Sequence, residues 1–150
     1  MILRDHLPAG HVLLGRKAAS KSALIALLAE AAAERSGLAA TPIRAALSAR
    51  EALGSTGVGK GVAVPHAMVE GLDKVVCLFV RLDRPVDFAA VDDEPVDLVF
   101  LVLVPPAQRS QSLSLLSALA RRLRESDAAR GLRAAPSAEA ALAILAPEED

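Results

Sequence analysis

The spacing of apolar residues changes several times along the chain, and each change marks an element. His11-Val-Leu-Leu-Gly15 is apolar and short, which fits a first strand. From Ser20 the apolar positions fall at helical intervals, with Leu24, Leu27, Leu28 and Ala31 on one face. Gly37 ends that helix, because glycine adopts the left-handed C-terminal conformation without a steric cost. Thr41-Pro42 predicts an N-cap followed by proline in the first helical position, opening a second helix through Arg50 and Leu53.

Gly54 to Gly61 carries four glycines in eight residues and is expected to be irregular. Val62-Ala-Val-Pro65 is expected to be extended, since Pro65 biases Val64 away from helical angles. Lys74 to Leu82 and Val96 to Val104 are continuous apolar runs rather than alternating ones, so both strands should be covered on both faces. After Pro105-Pro106, Leu113, Leu116, Leu119 and Leu123 mark another helix face. Arg121, Arg122 and Arg124 lie near its C-terminal end, where cations suit the helix dipole. Ser137 caps a last helix through Leu145. Buried strands between helices predict a layered α/β domain, with residues 1–150 as a single unit and no internal repeat.

Composition narrows the function classes. The chain of 150 residues has only Phe79, Phe88 and Phe100 as aromatic residues and a net charge of −1. Both features argue against nucleic acid, which needs stacking platforms and a basic footprint. One cysteine, Cys77, rules out an internal disulfide and fits a reducing, cytoplasmic setting. Charge interrupts Met1-Ile-Leu-Arg-Asp-His too early for the apolar region of a signal peptide. The longest apolar run, Leu98 to Val104, falls far short of the roughly 20 residues that span a bilayer, so no direct membrane insertion is expected.

Gly54-Ser-Thr-Gly-Val-Gly59-Lys60-Gly61 nearly spells a nucleotide-binding P-loop. However, Gly61 stands where a magnesium-holding Ser or Thr is required. The order of elements is also wrong: a helix precedes the loop and an extended segment follows, whereas a P-loop opens a helix whose N-terminus meets the phosphates. Glycines alone fit a plain connection equally well. The neighbouring His66 changes the picture. A histidine that carries a phosphoryl group needs one ring nitrogen with a free lone pair and the other fixed by a hydrogen bond. It also needs donors for the phosphoryl oxygens. His66 ends a segment stiffened by Pro65, the glycine loop can offer N–H groups, and Ser55 and Thr56 can offer hydroxyls. A structural or merely exposed histidine fits the same spacing.

The block from Arg50-Glu-Ala-Leu-Gly-Ser-Thr-Gly to Val-Ala-Val-Pro-His66 resembles the signature of phosphotransferase enzyme IIA domains of the fructose, mannitol and nitrogen-regulatory class. Asp97 to Pro105 and Leu113 to Ala120 resemble the strand and helix that follow in that family, and the free-standing nitrogen-regulatory branch is the most similar. The resemblance implies a three-layer αβα sandwich with a mixed central sheet. It implies that His66 accepts phosphate from a histidine phosphocarrier protein, that Arg50 lies beside the phosphoryl group, and that no metal or organic cofactor takes part. An arginine suits that place, because its planar fork holds phosphate oxygens in pairs; an ordinary solvated helix residue is the plain alternative for Arg50.

The match departs at the start of the later helix. Where relatives place a second histidine that orients the phosphoryl site, this chain has Ser112, beside Gln111, and Pro106 replaces the usual acidic residue. Serine donates one hydrogen bond but supplies no charge. Lys60, where asparagine is common, adds a cation. Among other candidates, Cys77 lies in an apolar strand and reads as inert. His6 and His11 lack partners at metal-ligand spacing, so no metal site is expected. Asp92-Asp93-Glu94 reads as a solvated turn, and Arg121, Arg122 and Arg124 as a solvated helix end or a docking surface. Two functions remain: a phosphoryl carrier that signals to regulatory target proteins, or a binding regulator with a degenerate site and no phosphorylation.

Overall fold

The computed structural model describes residues 3–146, apart from the side chains of Arg4, Gln111, Ser112, Arg124 and Ser126. Strand β1 (Val12–Arg16) leads into helix α1 (Lys21–Ser36), which ends at Gly37 as expected and is capped at its start by Ser20. Ser20 accepts the Ala23 N–H at its start, and Gly37, at φ 78, turns left-handed at its end. Its buried face is Leu24, Ile25, Leu28, Ala29 and Ala32, while Leu27 and Ala31 flank that face half-buried. Helix α2 (Ala40–Ala52) begins before the expected cap, at Ala39, with no side-chain capping bond. Pro42 is tolerated there because first-turn N–H groups have no intrahelical acceptor.

The glycine segment is more ordered than expected. Strand β2 (Gly57–Gly59) folds back antiparallel on β3 (Val62–Ala63). β3 and β4 (His66–Met68) both run parallel to β6 (Val96–Val104) in a constant register, Val62 beside Leu98 and His66 beside Val102. They are one strand interrupted at Pro65, which has no N–H to give the ladder, although its carbonyl still accepts from Val102 N–H. Strand β5 (Val76–Val86) is antiparallel to β6 and parallel to β1. The sheet among the described residues has six strands, in the order β1-β5-β6-β3-β2 with β4 also on β6. It is mixed, as expected.

Alternate residues of β5 and β6 enter two separate cores. Leu78, Val80, Leu101 and Leu103 pack under α1 and α2. Cys77, Phe79, Phe100 and Val102 pack under α3 (Arg109–Arg124), α4 (Ser126–Ala134) and α5 (Ala138–Leu145). That arrangement is the three-layer αβα sandwich, and it explains why the two strands are apolar on both faces. Ser137 caps α5 by accepting the Ala140 N–H. α4 was not expected from the apolar pattern, and the α3 core face is Leu115, Leu119 and Leu123, leaving Leu113 exposed.

Candidate functional site

His66 opens β4 at the break made by Pro65, and its ring is held on both nitrogens. Nδ1 lies 2.9 Å from the carbonyl oxygen of Val64. A carbonyl only accepts, so Nδ1 carries the proton and Nε2 carries the lone pair. Facing that lone pair is Arg50 in the last turn of α2, whose Nε donates to Nε2 at 3.3 Å. Arg50 is itself braced, since Nη1 donates to the Gly54 carbonyl at 2.9 Å. The structure thus brings together His66 and Arg50 with the tautomer that nucleophilic chemistry at Nε2 requires.

The other expected phosphate ligands face inward. The Ser55 hydroxyl donates to the Phe88 carbonyl and accepts the Gly57 N–H, so it ties the loop to itself. Thr56 is buried and its Oγ1 has no hydrogen-bond partner among the described residues. The loop N–H groups of Thr56, Gly57 and Lys60 are taken by Glu51, Ser55 and Asp92. Neither Ser55 nor Thr56 lines the cavity that contains His66. Ser112 lies in the first turns of α3, but its side chain, like those of Gln111 and Arg124, is outside the described residues.

That cavity, about 560 Å³, opens between α2, β4 and α3 and is lined by Arg50, Leu53, His66, Met68, Arg109 and Leu113 among others. Its lining is largely apolar, with Leu53, Met68 and Leu113 exposed, and two guanidinium groups supply its charge. Arg109 was missed by sequence reasoning. Its position just past the double proline was the available signal, since that turn starts the helix whose partner histidine is absent. Glu51 was also missed: its side chain is 5% exposed and binds Lys21 Nζ at 3.0 Å. Its one signal was adjacency to Arg50.

The remaining candidates fall outside the cavity. Lys60 lines a separate hollow of about 520 Å³ with Ser117, Arg121 and Glu125. Arg122 donates to the Ile144 carbonyl and fastens α3 to α5. Asp92 is more than a solvated turn: it accepts the N–H groups of Lys60 and Glu94, which hold its carboxyl below the usual range. Burial pushes the Cys77 thiol up to about 12, consistent with an inert role. His11 donates from Nδ1 to the Cys77 carbonyl, and burial lowers its pKa, with Arg35 and Lys74 adding repulsion. No cluster of metal-ligating side chains occurs among the described residues. No described helix is long and apolar enough to cross a membrane.

Comparison with known proteins places this geometry. The family model described as "phosphoenolpyruvate-dependent sugar phosphotransferase system, EIIA 2" matches residues 5–147. A nitrogen regulatory protein of Bradyrhizobium diazoefficiens is 44% identical over 135 residues, which cover 90% of this chain and 88% of that protein. The crystal structure of nitrogen regulatory protein IIA-Ntr from Neisseria meningitidis superposes with a TM-score of 0.90 at 36% identity, covering 94% of this chain and 97% of that one. The IIA mannitol structure from Escherichia coli gives a TM-score of 0.76 at 26% identity, over 93% and 99% of the two chains.

Proposed function

The chain belongs to the EIIA 2 family of the phosphoenolpyruvate-dependent sugar phosphotransferase system, and from that premise we propose that it accepts a phosphoryl group on His66 and signals its state to target proteins. Its nitrogen-regulatory relatives mark it as a regulatory IIA protein of the phosphotransferase type. The donor in this reading is a histidine phosphocarrier protein, and the setting is the cytoplasm.

The observation that carries the reading is the state of the His66 ring. Its Nε2 lone pair accepts from Arg50 Nε, another residue of the cavity lining, while Nδ1–H is held by the Val64 carbonyl. That lone pair forms the new N–P bond as the donor's N–P bond breaks and returns its electrons to the donor imidazole. Arg50 moves its Nε bond from the ring to a phosphoryl oxygen, and Arg109 offers a second cation across the cavity. The first-turn N–H groups of α3 add partial positive charge on the same side. Ser112, in place of a second histidine, contributes at most a hydroxyl, so transfer is slower than in relatives that have it.

The exposed apolar rim favours a second reading. Leu53 is 86% exposed, Leu113 58% and Met68 46%, and all three edge the His66 cavity. Such a rim fits a regulator that binds targets directly, with phosphate on His66, or none at all, controlling that contact. Phosphorylation would place a dianion on the apolar rim and oppose docking.

The test is incubation of the purified protein with phosphoenolpyruvate, enzyme I and its histidine phosphocarrier, read by intact mass. One acid-labile phosphoryl adduct that is absent in His66→Ala is the expected result. No adduct from an active donor system would leave binding alone as the function.

A further inference from the structure

A closed ring of hydrogen bonds joins His66 to α2 at two consecutive residues. Glu51 Oε1 accepts the Thr56 N–H at 3.1 Å. The Thr56 carbonyl accepts the Val64 N–H at 2.9 Å. The Val64 carbonyl accepts His66 Nδ1–H at 2.9 Å, and His66 Nε2 accepts from Arg50 Nε at 3.3 Å. Arg50 is the residue before Glu51, so the helix backbone completes the ring.

The carboxylate that starts this ring is firmly placed. Glu51 Oε1 also binds Lys21 Nζ at 3.0 Å, and that ammonium lies 4.4 Å from the centre of the Phe88 ring. The Phe88 carbonyl in turn accepts the Ser55 hydroxyl, so the cation, the aromatic ring and the loop are locked together. A buried carboxylate is costly unless it is paired and hydrogen-bonded; Oε1 takes both the Lys21 ammonium and the Thr56 N–H, while Oε2 is buried with no hydrogen-bond partner among the described residues. Here Glu51 Oε1 holds the Thr56 N–H, the Thr56 carbonyl holds Val64, and the Val64 carbonyl, together with the Arg50 guanidinium on the other nitrogen, fixes the His66 tautomer.

We propose that Glu51 is a positioning residue for His66, holding the ring in its Nδ1–H form and presenting the Nε2 lone pair to the cavity. As a statement about phosphoryl acceptance, the inference rests on the function proposed above. As a statement about the tautomer, it does not.

The test pairs ring spectroscopy with transfer kinetics in the full chain. Two-bond proton–nitrogen correlation of the His66 ring should show a proton on Nδ1 and a bare Nε2 in the unmodified protein. Glu51→Met, which fills the space but accepts no hydrogen bond, should mix the tautomers and slow phosphoryl uptake about tenfold, since misplacing a reacting group by ~1 Å can cost ~100-fold. Glu51→Gln keeps a carbonyl acceptor and should keep both the tautomer and most of the rate. A folded Glu51→Met protein with an unchanged tautomer, or with a changed tautomer and an unchanged rate, overturns the proposal. Should the methionine variant not fold, amide exchange in the unmodified protein decides: Thr56 and Val64 amides protected together support the ring, and an unprotected Thr56 amide overturns it. A protein that takes no phosphate at all would refute the functional reading while the tautomer measurement still reports on Glu51.

Discussion

Arg50 Nε and His66 Nε2 stand 3.3 Å apart, with the guanidinium donating to the one ring nitrogen that Val64 leaves unprotonated. In the resting state this contact occupies the nucleophile. It must open as the phosphorus arrives, and the same guanidinium is then within reach of the incoming oxygens.

Replacing Arg50 separates charge from geometry. Lysine keeps the cation but cannot bridge Gly54 O and the phosphoryl group with a planar fork. Arg50→Lys is expected to lower the rate of phosphoryl uptake, and Arg50→Ala to lower it further, by about a hundredfold, the usual cost of losing one preorganised donor. Stopped-flow transfer from the phosphorylated donor measures both. Equal rates for the lysine variant and the unmodified protein would deny the fork any part.

Arg109 acts through charge at the cavity's edge. Its guanidinium is exposed and has no hydrogen bond or ion pair among the described residues, so it is available to a dianionic group carried by a partner. Arg109→Ala should slow transfer several-fold at low salt, by roughly the steering expected of one unscreened charge. The difference should shrink as ionic strength rises and the Debye length falls toward ~3 Å at 1 M. Arg109→Lys should behave like the unmodified protein at every salt concentration. A salt-independent loss in the alanine variant would mean that the side chain acts by packing instead.

Much of the fold was legible because its signals are local. Gly37 and Ser137 act as caps through bonds to residues three or four positions away, and the two apolar strands declare their double burial by composition. What escaped depends on distant residues. Gly131 argues by propensity against a helix at Ser126–Ala134, yet α4 forms there and buries Ala128, Ala129 and Leu132, contacts that local sequence does not announce. In the site, His66 and Arg50 are sixteen residues apart, within one contiguous signature. Arg109 reaches the same cavity from the far side of β6, and Glu51 is buried only because Lys21, on another helix, neutralises it.

The glycine hairpin tests how closely the site's scaffold is packed. At Gly57 an added Cβ would fall 2.7 Å from Ala90 Cβ and 2.9 Å from Ala90 Cα, closer than real side chains approach. Gly57→Ala should therefore destabilise the protein by about 1–3 kcal/mol, the range for overpacking a rigid contact. Gly10→Ala is the control, because nothing lies within 4 Å of its Cβ position and its φ is not positive. Urea midpoints for the two variants should differ clearly, with Gly10→Ala close to the unmodified protein. Equal midpoints would show that the β2 segment yields freely.

His11 gives the fold a pH dependence whose direction follows from its surroundings. Burial lowers its pKa below the ordinary 6.5, and the cations Arg35 and Lys74 push the same way, while the hydrogen bond to the Cys77 carbonyl opposes them only in part. Above about pH 6.5 the imidazole is neutral in both folded and unfolded chains, and the contribution of His11 to stability is fully present. As pH falls below that value the unfolded chain takes up the proton first. Its contribution is then lost progressively until the pH has passed the lower folded pKa, where the loss levels off. His11→Gln removes this titration and leaves a side chain that can still donate to a carbonyl. Urea unfolding at pH 7.5 and pH 5.5 should show a smaller drop in midpoint for the glutamine variant than for the unmodified protein. An equal drop in both would assign the acid sensitivity to other groups and leave His11 as a neutral bridge between the first turn and β5.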